Sequence, residues 1–149
     1  MSKSNTWESD LLLLVFQNTG SSLIGDATGL RGSTATGSLY IGLHTADPGE
    51  AGDQSTSEAT YTGYARTAVA RTSGGFTVSG TAPTQVANAA TVAFGPCTAG
   101  SNTITHFSVG TSSSGAGKLL YSGALTANLS VSAGITPQFN AGALVITED

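Results

Sequence analysis

The stretch LHTADPGEAGD, Leu43 to Asp53, places one histidine and three carboxylates, Asp47, Glu50 and Asp53, within eleven residues. Imidazole and carboxylate are side chains that ligate metals and move protons at neutral pH. The spacing suits neither task. An EF-hand calcium loop sets oxygen ligands at alternate positions and closes on a bidentate glutamate at the twelfth, and this stretch does neither. His106 lies far along the chain from His44, in a separate predicted strand. Asp47-Pro48-Gly49-Glu50 instead has the composition of a type II turn, with proline fixing φ at the second position and glycine supplying positive φ at the third. The expectation is a solvated corner that holds no metal and no cofactor.

Other chemical signals are weaker. GTSSSGAGKLL resembles a phosphate loop, but Ser112 stands where the first glycine belongs and Leu119 where Ser or Thr must follow Lys118. No serine is framed as Gly-x-Ser-x-Gly, and no motif ties one to a histidine. Asn128-Leu129-Ser130 is a chance-level glycosylation sequon. No catalytic residue is expected.

Few elements are available to position anything. Asn5 caps a predicted helix over Thr6 to Asn18, Glu8 follows three residues later as in a capping box, and Gly20 marks the end. Trp7, Leu11, Leu14 and Val15 share one face, while Leu12, Leu13 and Phe16 make the helix apolar nearly all round. A second burying surface is therefore expected, with Trp7, Leu11, Leu12 and Phe16 as an assembly interface. Six apolar residues, Leu11 to Phe16, fall far short of the ~18 that cross a bilayer, and Glu8 and Asp10 ahead of them do not suit a signal peptide. No membrane partner is expected.

From Leu39 the chain reads β, with short strands predicted at Leu39 to His44, Tyr64 to Arg71, Phe76 to Ser79, Thr91 to Phe94, Thr103 to Val109, Lys118 to Ser122, Leu129 to Ser132 and Ala143 to Thr147. The predicted architecture is mainly β: an antiparallel β-sandwich or barrel of about seven to eight short strands with one N-terminal helix. It forms a single domain over 1–149, divided into the helix (1–20), a Gly/Ser/Thr connector (21–38) and a β domain (39–149).

Charged residues are 9% of the chain, and Leu, Ile, Val and Phe together are 31 of 149. Typical domains carry roughly a quarter charged residues, and chains below ~20% of those four apolar types tend to be disordered. A net charge of only -4 argues against disorder. A core this thin is expected to gain stability by association with copies of itself or with another protein. Five Lys and Arg, at 3, 31, 66, 71 and 118, form no patch for nucleic acid. The single Cys97 is expected to be a small buried residue.

The ordered stretches SLYIGLHTADPGEAG, YTGYAR, HFSVGTSSSGAGKLLYSGAL and GALVITED resemble a family of small tailed-bacteriophage virion proteins, usually catalogued as tail fibre proteins. The resemblance implies a non-enzymatic part of the phage particle, made in the host cytoplasm and built as a homo-oligomer, a trimer by the habit of such proteins. The compact length and absence of a shaft repeat favour a capsid decoration or cement protein docked on the major capsid protein. A small tail or tail-fibre component docked on a tail structural protein is the alternative. A carbohydrate-binding sandwich for host attachment is a further one, with Tyr61 and Tyr64 as glycan contacts.

Overall fold

The computed structural model describes residues 4–26, 29–30, 32, 34–81 and 83–148. The protein is mainly β, with one helix among the described residues and antiparallel sheets. It comprises two compact units: Met1–Ser38, Ala70–Thr91 and Phe139–Asp149 form the first, Leu39–Val69 and Val92–Gln138 the second.

Helix α1 (Asn5–Gln17) begins one residue earlier than its sequence signals suggest, because Ser4, not Asn5, caps it: the Ser4 hydroxyl accepts from the Trp7 amide at 3.4 Å. It ends at Asn18, whose left-handed φ of 57° reverses the chain before Gly20 is reached. Arg71 donates to the Leu14 and Val15 carbonyls at 2.8 and 2.6 Å, placing a cation at the helix's negative end where carbonyls lack intrahelical partners. The buried stripe is Glu8, Leu12 and Phe16. Four-residue spacing stacks these side chains on one line of the helix. That stripe differs from the Trp7, Leu11, Leu14, Val15 face because the helix is apolar on several sides and the sheet selects among them.

The stretch after the helix, expected to be a connector, forms two strands, β1 (Ser21–Asp26) and β2 (Gly29–Leu30), paired antiparallel. Also in the first unit, β5 (Phe76–Ser79), β6 (Thr84–Asn88) and β11 (Val145–Glu148) form a sheet with β6 central. Helix α1 covers β5 and β6; Phe16 meets Phe76 edge-on at 5.0 Å, and the Gln17 side chain donates to the Phe76 carbonyl. Strand β6 escapes sequence detection because its inward residues are Thr84, Val86 and Asn88, two of them polar. Buried Asn88 justifies its place: its amide donates to Ala90 and Asn140 carbonyls and its oxygen accepts from the Leu144 amide.

The second unit is built on the sheet β4-β3-β8-β9. Its strands are β4 (Thr67–Ala70), β3 (Ser38–His44), β8 (Ser101–Gly110) and β9 (Leu119–Ser132). Two short strands, β7 (Val92–Ala93) and β10 (Gln138–Phe139), pair separately. The two strands expected at Lys118 to Ser122 and Leu129 to Ser132 belong to the single strand β9. His106 pairs with Ala124 and Ile104 with Leu129, so 125–128 bulge out opposite Thr105 alone.

Candidate functional site

Strand β3 alternates apolar and polar residues, which predicts burial on one face only. From Ile41 to His44 every residue is buried. Ile41 and Leu43 lie against Val109 and Phe107 on the apolar face, in the register Ile41↔Val109 and Leu43↔Phe107. On the other face lie Gly42, His44 and Ser108, and the 45–66 loop covers them through polar contacts.

His44 is fully buried, with Nδ1 2.8 Å from the Thr56 carbonyl and Nε2 2.7 Å from the Ser108 hydroxyl. A carbonyl only accepts, so Nδ1 carries the proton and Nε2 accepts from Ser108. Burial holds the imidazole below its ordinary value of 6.5, which keeps it neutral. A histidine within reach of a serine hydroxyl is the geometry of an activated nucleophile. Here Ser108 is 0% exposed, and the third group is a carbonyl, not a carboxylate. The pair fastens the loop to the sheet.

Around it runs a connected polar network. Arg66 holds Glu58 through two hydrogen bonds of 2.6 and 2.7 Å, and donates to the Ser112 and Gly115 carbonyls at 3.0 and 2.7 Å. The Tyr64 hydroxyl donates to Glu58 and accepts from the Leu43 amide, and burial pushes this phenol well above its ordinary range. Gln54 is fully buried; its carbonyl oxygen accepts from the Ser112 amide, and its own backbone amide donates to Ala116. Gly110 and Gly117 make this possible, since a Cβ at either would fall within 2.2 Å of a Gln54 side-chain atom. The loop that resembles a phosphate cradle is thus filled by the protein's own Arg66 and Gln54.

The opening carboxylates do not converge. Asp47 accepts from the Gly49 amide, and Asp53 accepts from the Ser55 amide and hydroxyl, which together hold its carboxyl below the usual range. Gly49 has the expected positive φ, at 69°, but the backbone bond that closes the corner runs from the Gly52 amide to the Gly49 carbonyl, two residues on from the Asp47 start predicted. Among the described residues no group of three or more His, Cys, Asp or Glu is placed to hold a metal. His44 and His106 are direct cross-strand partners, a juxtaposition hidden by their separation in sequence, yet both ring nitrogens of His44 are committed.

Of the residues expected to serve assembly, Leu12 and Phe16 are fully buried within the first unit, while Trp7 and Leu11 are half-buried. Tyr61 is buried, donates from its hydroxyl to the Gly95 carbonyl, and meets the half-buried Tyr64 ring edge-on; Tyr64 in turn stacks on Phe94. These tyrosines do structural work in the second unit. Cys97 is buried and free, as expected for a small core residue. Lys3 and Arg31 lie outside the described residues. No described helix is long and apolar enough to cross a membrane. Sequence reasoning missed Arg66, Glu58, Gln54 and Ser108. Scarcity was the available signal: in a chain 9% charged, Arg66 stands inside the aromatic stretch YTGYAR.

The sheet of the second unit is thus covered by a loop whose polar groups bond to one another and to backbone, with the buried Gln54 side-chain nitrogen left without a partner. Three stretches, SLYIGLHTADPGEAG, YTGYAR and HFSVGTSSSGAGKLLYSGAL, supply His44, Tyr64, Arg66, Ser108 and Ser112 to that network, and the DQSTSEAT segment between the first two supplies Gln54, Thr56 and Glu58. The chain matches, over residues 3–147, the family described as podophage GP4 fiber I protein gp80, and it belongs to that family. It is therefore a phage fibre-type structural protein of the virion. No curated protein matches it.

Proposed function

We propose that this protein is a non-enzymatic structural subunit of a podophage tail fibre, acting by self-association as a homo-oligomer and by docking on a tail structural protein. The observation that carries the reading is the family match across nearly the whole chain. Its description supports a fibre position over the capsid decoration that compactness alone favoured. The thin core supports association, since area buried between copies adds stability with little further ordering of the chain. Trp7, Leu11, Leu13, Leu14 and Val15 remain half-buried around a helix whose other side is packed, and these are the docking residues.

A difference reconstruction of phage particles with and without this chain tests the position. Density lost from a tail fibre is the expected result; loss confined to the head shell overturns it. Particles made with Trp7→Ser and Leu11→Ser together are expected to incorporate less of the protein while it still folds.

A further inference from the structure

The register of β9 on β8 slips near the start of β9: Tyr121 pairs with Val109 and Leu119 with Gly110, so Leu120 is an extra residue on the outer strand. A bulge of this kind bends the strand and re-aims its side chains. Here four successive residues, Leu119 to Ser122, line one groove of about 490 Å³, where a regular strand would turn every second side chain away. Asp47 and Glu50, on the 45–66 loop, form its other wall, and all six residues belong to the second unit. That wall is held in place: Pro48 is buried, the Gly49 amide donates to Asp47 Oδ1 at 2.9 Å, and the Gly52 amide donates to the Gly49 carbonyl. Leu119, Leu120 and Tyr121 are half-buried, whereas Asp47 and Glu50 are exposed and have no ion-pair partner among the described residues.

We propose that this groove docks a lysine-bearing segment of another virion protein, with the lysine stem along Leu119, Leu120 and Tyr121 and its ammonium between Asp47 and Glu50. The inference rests on the virion role proposed above and adds a docking surface on the second unit. The two walls match that side chain, whose four methylenes lie along apolar surface while its charge stays at the polar rim. Charge sets the sign of the partner. Two carboxylates on a chain of net charge -4 attract a basic segment and repel an acidic one, further copies of this chain included. The chain's own described cations do not meet the need: Arg66 and Arg71 donate to internal partners, and Lys118, beside Leu119, is exposed and pairs with neither carboxylate. Lysine suits the site better than arginine. A guanidinium fork is matched by both oxygens of one carboxylate, and one Asp47 oxygen already accepts from Gly49, whereas an ammonium is a point charge that two carboxylates can share.

Carbodiimide treatment of intact particles tests this, because it joins a carboxylate to an amine in contact with it and leaves no spacer. After digestion, mass spectrometry is expected to find Asp47 or Glu50 bonded to a lysine of a different virion protein. Asp47→Asn with Glu50→Gln removes both charges and keeps an acceptor for the Gly49 amide, so the double variant is expected to keep its melting temperature. In competition with the unmodified chain it should enter particles roughly tenfold less. Glu50→Gln alone, at an exposed side chain, should show the same loss in smaller measure should the double variant melt early. A cross-link to Lys3 or Lys118 of a second copy overturns the proposal by making the groove a contact between copies. No cross-link at either carboxylate, or incorporation equal to that of the unmodified chain, overturns the groove and leaves the virion role standing. Absence of the protein from particles overturns both.

Discussion

In the first unit a helix covers a sheet with hydrocarbon: Leu12 and Phe16 are fully buried, and Phe16 meets Phe76 at 5.0 Å. In the second unit a loop covers a sheet with polar groups: Arg66, Glu58, Tyr64, His44, Ser108 and Gln54 bond to one another and to backbone. Both covers exclude water from a sheet face, but they respond differently to change. Apolar contacts are non-directional and tolerate exchange of similar volumes. Buried polar groups need their own partners, and one missing member leaves another desolvated and unpaired. A chain short of large aliphatics uses the second device where it cannot supply the first.

The sharpest test of that contrast is Glu58→Ala. The Arg66 side chain is 1% exposed, so removing its carboxylate strands a buried charge, and about 3–5 kcal/mol of stability should be lost in urea denaturation. Arg66→Ala should cost less, because Glu58 is 20% exposed and water can take over part of the solvation. Equal losses would contradict the asymmetry. Glu58→Gln should retain much of the damage despite its shape.

Next in size is the apolar seam. Phe76→Ala should cost about 3–5 kcal/mol, towards the lower end if the neighbouring helix can settle into the space. Leu12→Met in the same seam should cost less than about 1.5 kcal/mol. If the methionine variant proves as damaging as Glu58→Gln, the two covers do not differ as described.

Acid should act on the second unit through His44. Burial lowers its proton affinity in the folded state, so the unfolded chain takes up the proton first as pH falls below about 6.5. The stability it contributes is complete above that pH, declines as pH falls through the depressed folded value, and levels off beneath it. Asp53 adds a second loss at lower pH, since its carboxyl is also held down, by Ser55. Melting temperatures across pH 7.5 to 4 should rise with pH, and His44→Gln should flatten the upper part of that slope. An unaltered slope in the variant would remove His44 as the cause.

The smallest effects are expected at the exposed corner. Gly49→Val should cost about 1–2 kcal/mol from its left-handed backbone alone, since open space surrounds the position. Glu50→Gln should stay within about 0.5 kcal/mol, with or without added calcium. A calcium-dependent rise in melting temperature in the unmodified protein would revive a metal site there.

The sequence by itself determined the helix at Asn5–Gln17 to within a residue at each end, the strand bounds of Phe76–Ser79, the positive φ of Gly49 and the burial of Cys97. These follow from propensity, capping, alternation and turn chemistry, whose causes lie within a few residues of their effects. Only the tertiary structure decided that Thr84 and Asn88 point inward, that His44 faces His106, and that Arg66 and Gln54 fill the 110–118 loop. Each of these depends on a partner distant in sequence: Ser108 lies sixty-four positions from His44 and Ser112 fifty-eight from Gln54. A polar side chain looks solvent-facing in a local pattern whether or not a loop later folds over it. Its burial is settled by pairwise complementarity across the chain, which no window of neighbouring residues contains.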